Sequence, residues 1–168
     1  GPRRKPGLWR LTAVGESTTN ATLCVTEASE AAVNAFDTRM LTPRPGGGGG
    51  QGGPRPEGAG GPRPGGGGGA QCPPRITKTA AGWQGSATCT REMGDASMQI
   101  SVNETLSGDL QSKYTLKSRR MISGAPMPQM NRTIDLTVEG TFAGPCPAGQ
   151  NGGDLTIGGR TVNLASRG

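Results

Sequence analysis

Histidine is absent from this chain, aromatic side chains number five in 168 residues, and only 31% of the residues are hydrophobic. The missing imidazole removes the side chain most used for proton transfer at neutral pH and for zinc ligation. With two Trp, one Tyr and two Phe there is no set of interleaved stacking platforms, so nucleic acid is set aside as a partner despite a net charge of +6. No apolar run approaches the roughly 18 residues of a membrane-spanning helix, so no transmembrane segment is expected.

What is abundant is unevenly placed. Residues 43–71 hold 15 of the 31 Gly and 6 of the 14 Pro, in the repeated triplets Pro43-Arg44-Pro45, Pro54-Arg55-Pro56 and Pro62-Arg63-Pro64. Nothing there is apolar enough to bury, so the segment is expected to be a disordered Gly/Pro/Arg insertion. Loop closure costs grow slowly with length, so residues 3–42 and 72–146 are expected to form one domain around it. Residues 147–168 are left as a C-terminal hairpin or tail. Gly1-Pro2 reads as a protease scar from expression, outside the fold, and a signal peptide is expected to have preceded the mature chain. The basic charge also looks peripheral: Arg3, Arg4, Lys5 and the insertion carry most of it, which leaves little on the parts expected to fold.

Period-two alternation dominates elsewhere. Trp9, Leu11 and Ala13 share one side of a strand over residues 8–14, and a second strand over 21–25 follows a turn over 15–20. Thr26 with Glu27 and Glu30 marks a helix start, and Ala32, Val33, Phe36 and Met40 predict an apolar stripe running to about residue 39. After Cys72 the pattern is that of antiparallel strands: Met98, Ile100 and Val102, then Leu110, Tyr114 and Leu116, then Ile134, Leu136 and Val138 alternate with polar neighbours. The expected fold is all-β, a curved antiparallel meander sheet or partly closed barrel with one short α-helix. Residues 155–157 and 161–164 around Gly158-Gly159 predict a last hairpin beyond the main sheet.

Four cysteines allow three pairings. A turn at Ala80-Ala81 makes cross-strand partners sum to 161, which sets Cys72 opposite Cys89 and leaves Cys24 for Cys146; a turn at Ala81-Gly82 would shift that register by two. The wide spacing and the lack of His argue against a zinc site. Two disulfides imply an oxidising compartment, periplasmic or secreted.

Several of these residues resemble a known family, the bacterial envelope proteins grouped as domain of unknown function 3617. The resemblance rests on Arg4-Lys5-Pro6-Gly7-Leu8-Trp9 at the first strand, Cys24-Val25-Thr26-Glu27 entering the helix, the Trp83 strand ending in Cys89, and the closing Gly140-Thr141-Phe142-Ala143-Gly144-Pro145-Cys146. It spans residues 4–146 and implies an exported protein of the cell envelope. It implies no activity, cofactor or catalytic residue. The insertion and the tail after Cys146 depart from the family.

The catalytic inventory is thin. Glu92 with Asp95, or Asp109 near Tyr114, are the conceivable acid/base pairs, and both lie at turn signals where solvated charge is expected. A non-enzymatic binding or structural module is therefore expected, without a cofactor. Its concrete form is binding of a small apolar or lipid-like ligand by Trp83, Tyr114 and Leu116. Failing that, the row Lys113, Lys117, Arg119 and Arg120 would meet an envelope partner or make weak contact with an anionic membrane surface. The alternative is Cu(I) or Ag(I) binding by the thioethers of Met121, Met127 and Met130. Gly149–Leu155 only faintly matches a calcium repeat, and the sequons at Asn20, Asn103 and Asn131 are read as polar strand or turn positions.

Overall fold

The computed structural model describes residues 1–42 and 72–167; the expected insertion over 43–71 lies outside the described residues. The elements are β1 (Gly7–Val14), β2 (Thr18–Val25), α1 (Glu27–Ala32), β3 (Arg75–Thr79), β4 (Gly82–Met93), β5 (Ala96–Gly108), β6 (Lys113–Ser123), β7 (Arg132–Phe142), β8 (Asp154–Ile157) and β9 (Arg160–Asn163). All nine strands lie in one antiparallel sheet ordered β3-β4-β5-β6-β7-β1-β2-β8-β9. The sheet is open, with β3 and β9 as its edges, so it is not a closed barrel.

Each strand buries the side chains that its alternation predicts. In β1, Gly7, Trp9, Leu11 and Ala13 face inward, and in β5 so do Met98, Ile100, Val102, Glu104 and Leu106. A flat sheet of nine strands would be about 38 Å wide, whereas a six-residue helix covers only about 9 Å. Yet inward residues from β1 to β9 join in a single cluster, with Ile76 and Trp83 at one side and Ile157 and Val162 at the other. The sheet therefore coils over its own inner face, with α1 and residues 33–42 as cover. Trp9 is the centre of that cluster: fully buried, it lies 5.2 Å from the Tyr114 ring and 5.6 Å from Phe142, and its Nε1 donates to the Lys5 carbonyl at 2.9 Å.

Two expectations need correction. The helix stops at Ala32 instead of near residue 39, because two side chains turn the backbone aside: Asn34 Oδ1 accepts from the Phe36 amide at 2.9 Å and Asp37 Oδ1 from the Arg39 amide at 3.0 Å. The buried apolar residues after it are then Val33, Ala35, Phe36 and Leu41, while Ala32 and Met40 are exposed. The last hairpin is formed, but it joins the main sheet through Thr22↔Thr156 and Leu23↔Leu155 and plants Leu155 and Leu164 in the core.

Gly140 on β7 lies beside Tyr114 on β6 and Leu11 on β1, and a Cβ there would collide with the Tyr114 ring. The missing side chain is the seat of the tyrosine. Gly140→Ala is expected to cost about 1–3 kcal/mol by overpacking, read as a lower midpoint in a urea melt; an unchanged midpoint would mean the ring does not rest there.

Candidate functional site

The two disulfides are Cys24–Cys146, with Cα atoms 5.5 Å apart, and Cys72–Cys89, at 5.9 Å. The second follows from the hairpin, since Thr79↔Gly82 and Arg75↔Ser86 both sum to 161 and continue toward 72 and 89. The first spans the start of β1. Leu8 pairs with Cys24 on one side and exchanges backbone hydrogen bonds with Gly144 and Ala143 on the other, so the bridge straps β2 to the end of β7 across that residue.

Of the three residues expected to line an apolar site, Tyr114 and Leu116 are 2% and 1% exposed and belong to the core. Trp83 is half-buried against the same core, with the Lys78 ammonium 4.9 Å from its ring centre. The three thioethers separate differently. Met121 stands on the outer face of β6 at 40% exposure, and Met127 at 51% precedes the short 3-10 turn Pro128–Met130 that holds Met130. The basic row also divides by parity. Lys113, Lys117 and Arg119 are exposed on the outer face, while Arg120 is half-buried on the inner one.

The N-terminal arm was expected to be peripheral, and the structure overturns this. Pro2 is buried, and Arg4 is 4% exposed. Its guanidinium donates to Glu30 Oε1 from Nη2 at 2.6 Å and from Nε at 3.1 Å, to the Tyr114 hydroxyl at 3.1 Å and to the Val33 carbonyl at 2.8 Å, and its amide donates to Glu30 Oε2 at 2.7 Å. Burial works against the Arg4 charge, but Tyr114 and Glu30 outweigh it and hold the pKa above its usual value. Burial likewise raises the Tyr114 phenol, against the pull of Arg4. A sum of charges cannot find this arrangement. The available signal was Tyr114 itself, a hydroxyl on an otherwise apolar inward row that needs a partner.

Glu104 is the second buried charge, 5% exposed, between Val102 and Leu106 on β5. Its cross-strand neighbours are Gly85 and Ser118. Glu104, Ser118 and Arg120 make a polar strip between the main core and a smaller cluster of Cys72, Met98, Ile100 and Val102. Desolvation raises the Glu104 pKa; the Ser118 hydroxyl and Arg120 oppose that, and Asp37 adds to it. Above the raised pKa the buried carboxylate weakens the fold, and below the ordinary value of 4.5 it is neutral in both states and the penalty is gone. Glu104→Gln is therefore expected to melt above the parent near neutral pH, with the gap closing as pH falls toward 4.5. A gap independent of pH would rule out ionisation as its source.

The acids of the two conceivable acid/base pairs lie at or beside turns. Asp109 Oδ1 accepts from the amides of Gln111, Ser112 and Lys113, and Oδ2 from the Ser112 hydroxyl. These bonds, Ser112 first, hold its pKa well below the carboxylate range, the wrong direction for a general acid at neutral pH. Glu92 accepts from Ser97 Oγ at 3.1 Å, and Asp95 is exposed in the turn before β5. Among the described residues no group of three His, Cys, Asp or Glu could hold a metal ion, and no helix is long and apolar enough to cross a membrane.

On the outer face the structure has an open depression of about 330 Å³ across β4 to β7, lined among others by Gln84, Asn103, Thr105, Lys117, Arg119 and Asp135. Arg119 and Asp135 close one end in a paired contact at 2.7 and 3.2 Å. Alternation marks this face as the polar half of the strands but carries nothing of its shape, so the depression is not legible in the sequence. No family model, curated protein or solved structure matches the chain.

Proposed function

We propose that the chain is a non-enzymatic binding or structural module of an oxidising compartment, the periplasm or secreted space of a bacterial envelope. The observation that carries this reading is the cysteine economy: all four form disulfides and none is free. The resemblance noted above to exported envelope proteins agrees with it. An enzyme is disfavoured by the chemistry on offer, because Asp109 is spent on a turn, Asp135 on an ion pair with Arg119, and the buried Glu30 and Glu104 lie in packed polar contacts. Binding of an apolar or lipid-like ligand requires the inner face to part, since Tyr114 and Leu116 fill it. The outer depression is the accessible surface.

The test is the intact mass of protein exported to the periplasm, before and after reduction, under native and denaturing conditions. Two disulfides lower the mass by about 4 Da relative to the reduced chain, as expected for an oxidising compartment. Four free thiols would sink the reading, and an extra mass seen only under native conditions would identify a carried ligand. A second reading, Cu(I) or Ag(I) binding by Met121, Met127 and Met130, is favoured by the exposure of Met121 and Met127. Met127→Ala with Met130→Ala should then lose Cu(I) to a competing chelator, and undiminished uptake would remove it.

A further inference from the structure

The outer face of the sheet is not patterned as a face made only for solubility. Such a face gains by setting opposite charges across from one another on neighbouring strands. Here the row Gln84–Thr105–Lys117–Thr137 holds a cation and no carboxylate, and the row Lys113–Thr141–Arg10–Thr22 holds two cations and none. On β1, β6 and β7 the outward charges are Arg10, Lys113, Lys117 and Arg119 against Asp135 and Glu139. Asp135 is already paired with Arg119, and Lys113 and Lys117 have no carboxylate within ion-pair distance among the described residues.

Between the two cation rows, its members spaced by the strand separation of about 4.8 Å, runs the row Ser107–Thr115–Glu139–Thr12–Asn20, hydroxyls and an amide with one carboxylate, and the depression lies on the Lys117 side among Gln84, Asn103, Thr105 and Thr137. We propose that this face binds an anionic, hydroxyl-rich polymer, an acidic polysaccharide bearing carboxylate or phosphate groups. Lys113 and Lys117 meet the anions, and Gln84, Thr105 and Thr137 hydrogen-bond the sugar hydroxyls. A membrane surface fits less well. The face carries no aromatic anchor, and its exposed large apolar residues are only Val14 and Met121, too few to enter a bilayer surface. A protein partner would want an aromatic anchor at its centre, which the face lacks, and the arginine lining the depression, Arg119, is already tied to Asp135. Exposed contacts of this kind are individually weak and screened by salt, so affinity comes from several repeats of one polymer engaging the face together.

The inference deepens the binding reading proposed above, and it fails separately, because disulfide formation and export are measured without any ligand. The experiment titrates fluorescently labelled polygalacturonate into the oxidised full chain at low salt, beside neutral dextran and phosphatidylglycerol vesicles. Lys113→Gln with Lys117→Gln is expected to weaken polygalacturonate binding about tenfold, as for two lost surface charge contacts. The charge-neutral Thr105→Val with Thr137→Val should weaken it about threefold or more with an unchanged melt, since valine suits a strand. Arg160→Gln, on the edge hairpin, should leave it within about twofold. An Arg160→Gln loss equal to that of the lysine pair would show that only net charge is read, and would overturn the proposal. So would full binding by the threonine pair, tighter binding to the vesicles than to polygalacturonate, or no binding to polygalacturonate.

Discussion

Cys24→Ala with Cys146→Ala is expected to destabilise the oxidised protein by about 5 kcal/mol, and Cys72→Ala with Cys89→Ala by about 3 kcal/mol. The difference comes from the denatured chain. The bridges join residues 122 and 17 positions apart, and closing the longer loop removes more freedom from the unfolded ensemble. At about 2–4 °C per kcal/mol for a chain of this size, the first pair should lose 10–20 °C of melting temperature. Native geometry adds to the argument for the longer bridge. It straps β2 and the end of β7 across Leu8, and the Gly153 amide donates to the Cys24 carbonyl at 2.7 Å, so losing it frees the side of the sheet to which β8 is attached. Paired urea melts of the two variants decide the matter. Equal losses would mean that local packing, not chain entropy, sets the contribution of each bridge, and no loss for the longer one would mean the core alone holds the domain.

The same bridges show which parts of the structure were legible in the sequence. Alternation of Trp9, Leu11 and Ala13, or of Leu136 and Val138, reports a local property, the face of a strand, and local properties survive in a single chain. The register of the β3–β4 hairpin was legible down to two turns, since a two-residue loop sets every pair that follows; the structure has the turn at Ala80-Ala81 and not the one at Ala81-Gly82. The helix was overread because an apolar stripe says where residues should face and nothing about competing backbone partners. Asn34 and Asp37 offered those partners and won. Tyr114 and Leu116 were rightly placed on one face, but whether a face lines a cleft or a core depends on what the rest of the chain lays over it. Here the Tyr114 ring occupies the space over Gly140, and Trp9 and the Arg4 side chain pack against it. The attachment of β8 to β2 and the burial of Arg4 join residues far apart in the chain, and no local pattern encodes them.

The second large effect is expected at that buried arginine. Glu30→Ala should cost about 3–5 kcal/mol, because it leaves the Arg4 charge inside the protein without its carboxylate. The side chains of Arg4 and Glu30 are each 2% exposed, so water cannot take over. Arg4→Met should be similarly damaging, now stranding Glu30. Removing the whole arrangement is a different matter. In Arg4→Met with Glu30→Leu and Tyr114→Phe no charge or hydroxyl is left unpaired, only the Val33 carbonyl and the amide of residue 4 lose these partners, and the apolar side chains fill nearly the same space. That triple variant should lie within about 2 kcal/mol of the parent, far short of the sum of the single losses, since burying an ion pair costs in desolvation much of what the pair returns. Tyr114→Phe alone should cost about 1.5–3 kcal/mol, the value of one hydrogen bond to a charged group. Denaturant melts of the four variants would reveal the pattern. A triple variant as weak as the sum of its parts would mean that the ion pair is a net source of stability, and a nearly silent Glu30→Ala would mean that the arm carrying Arg4 is not docked on α1.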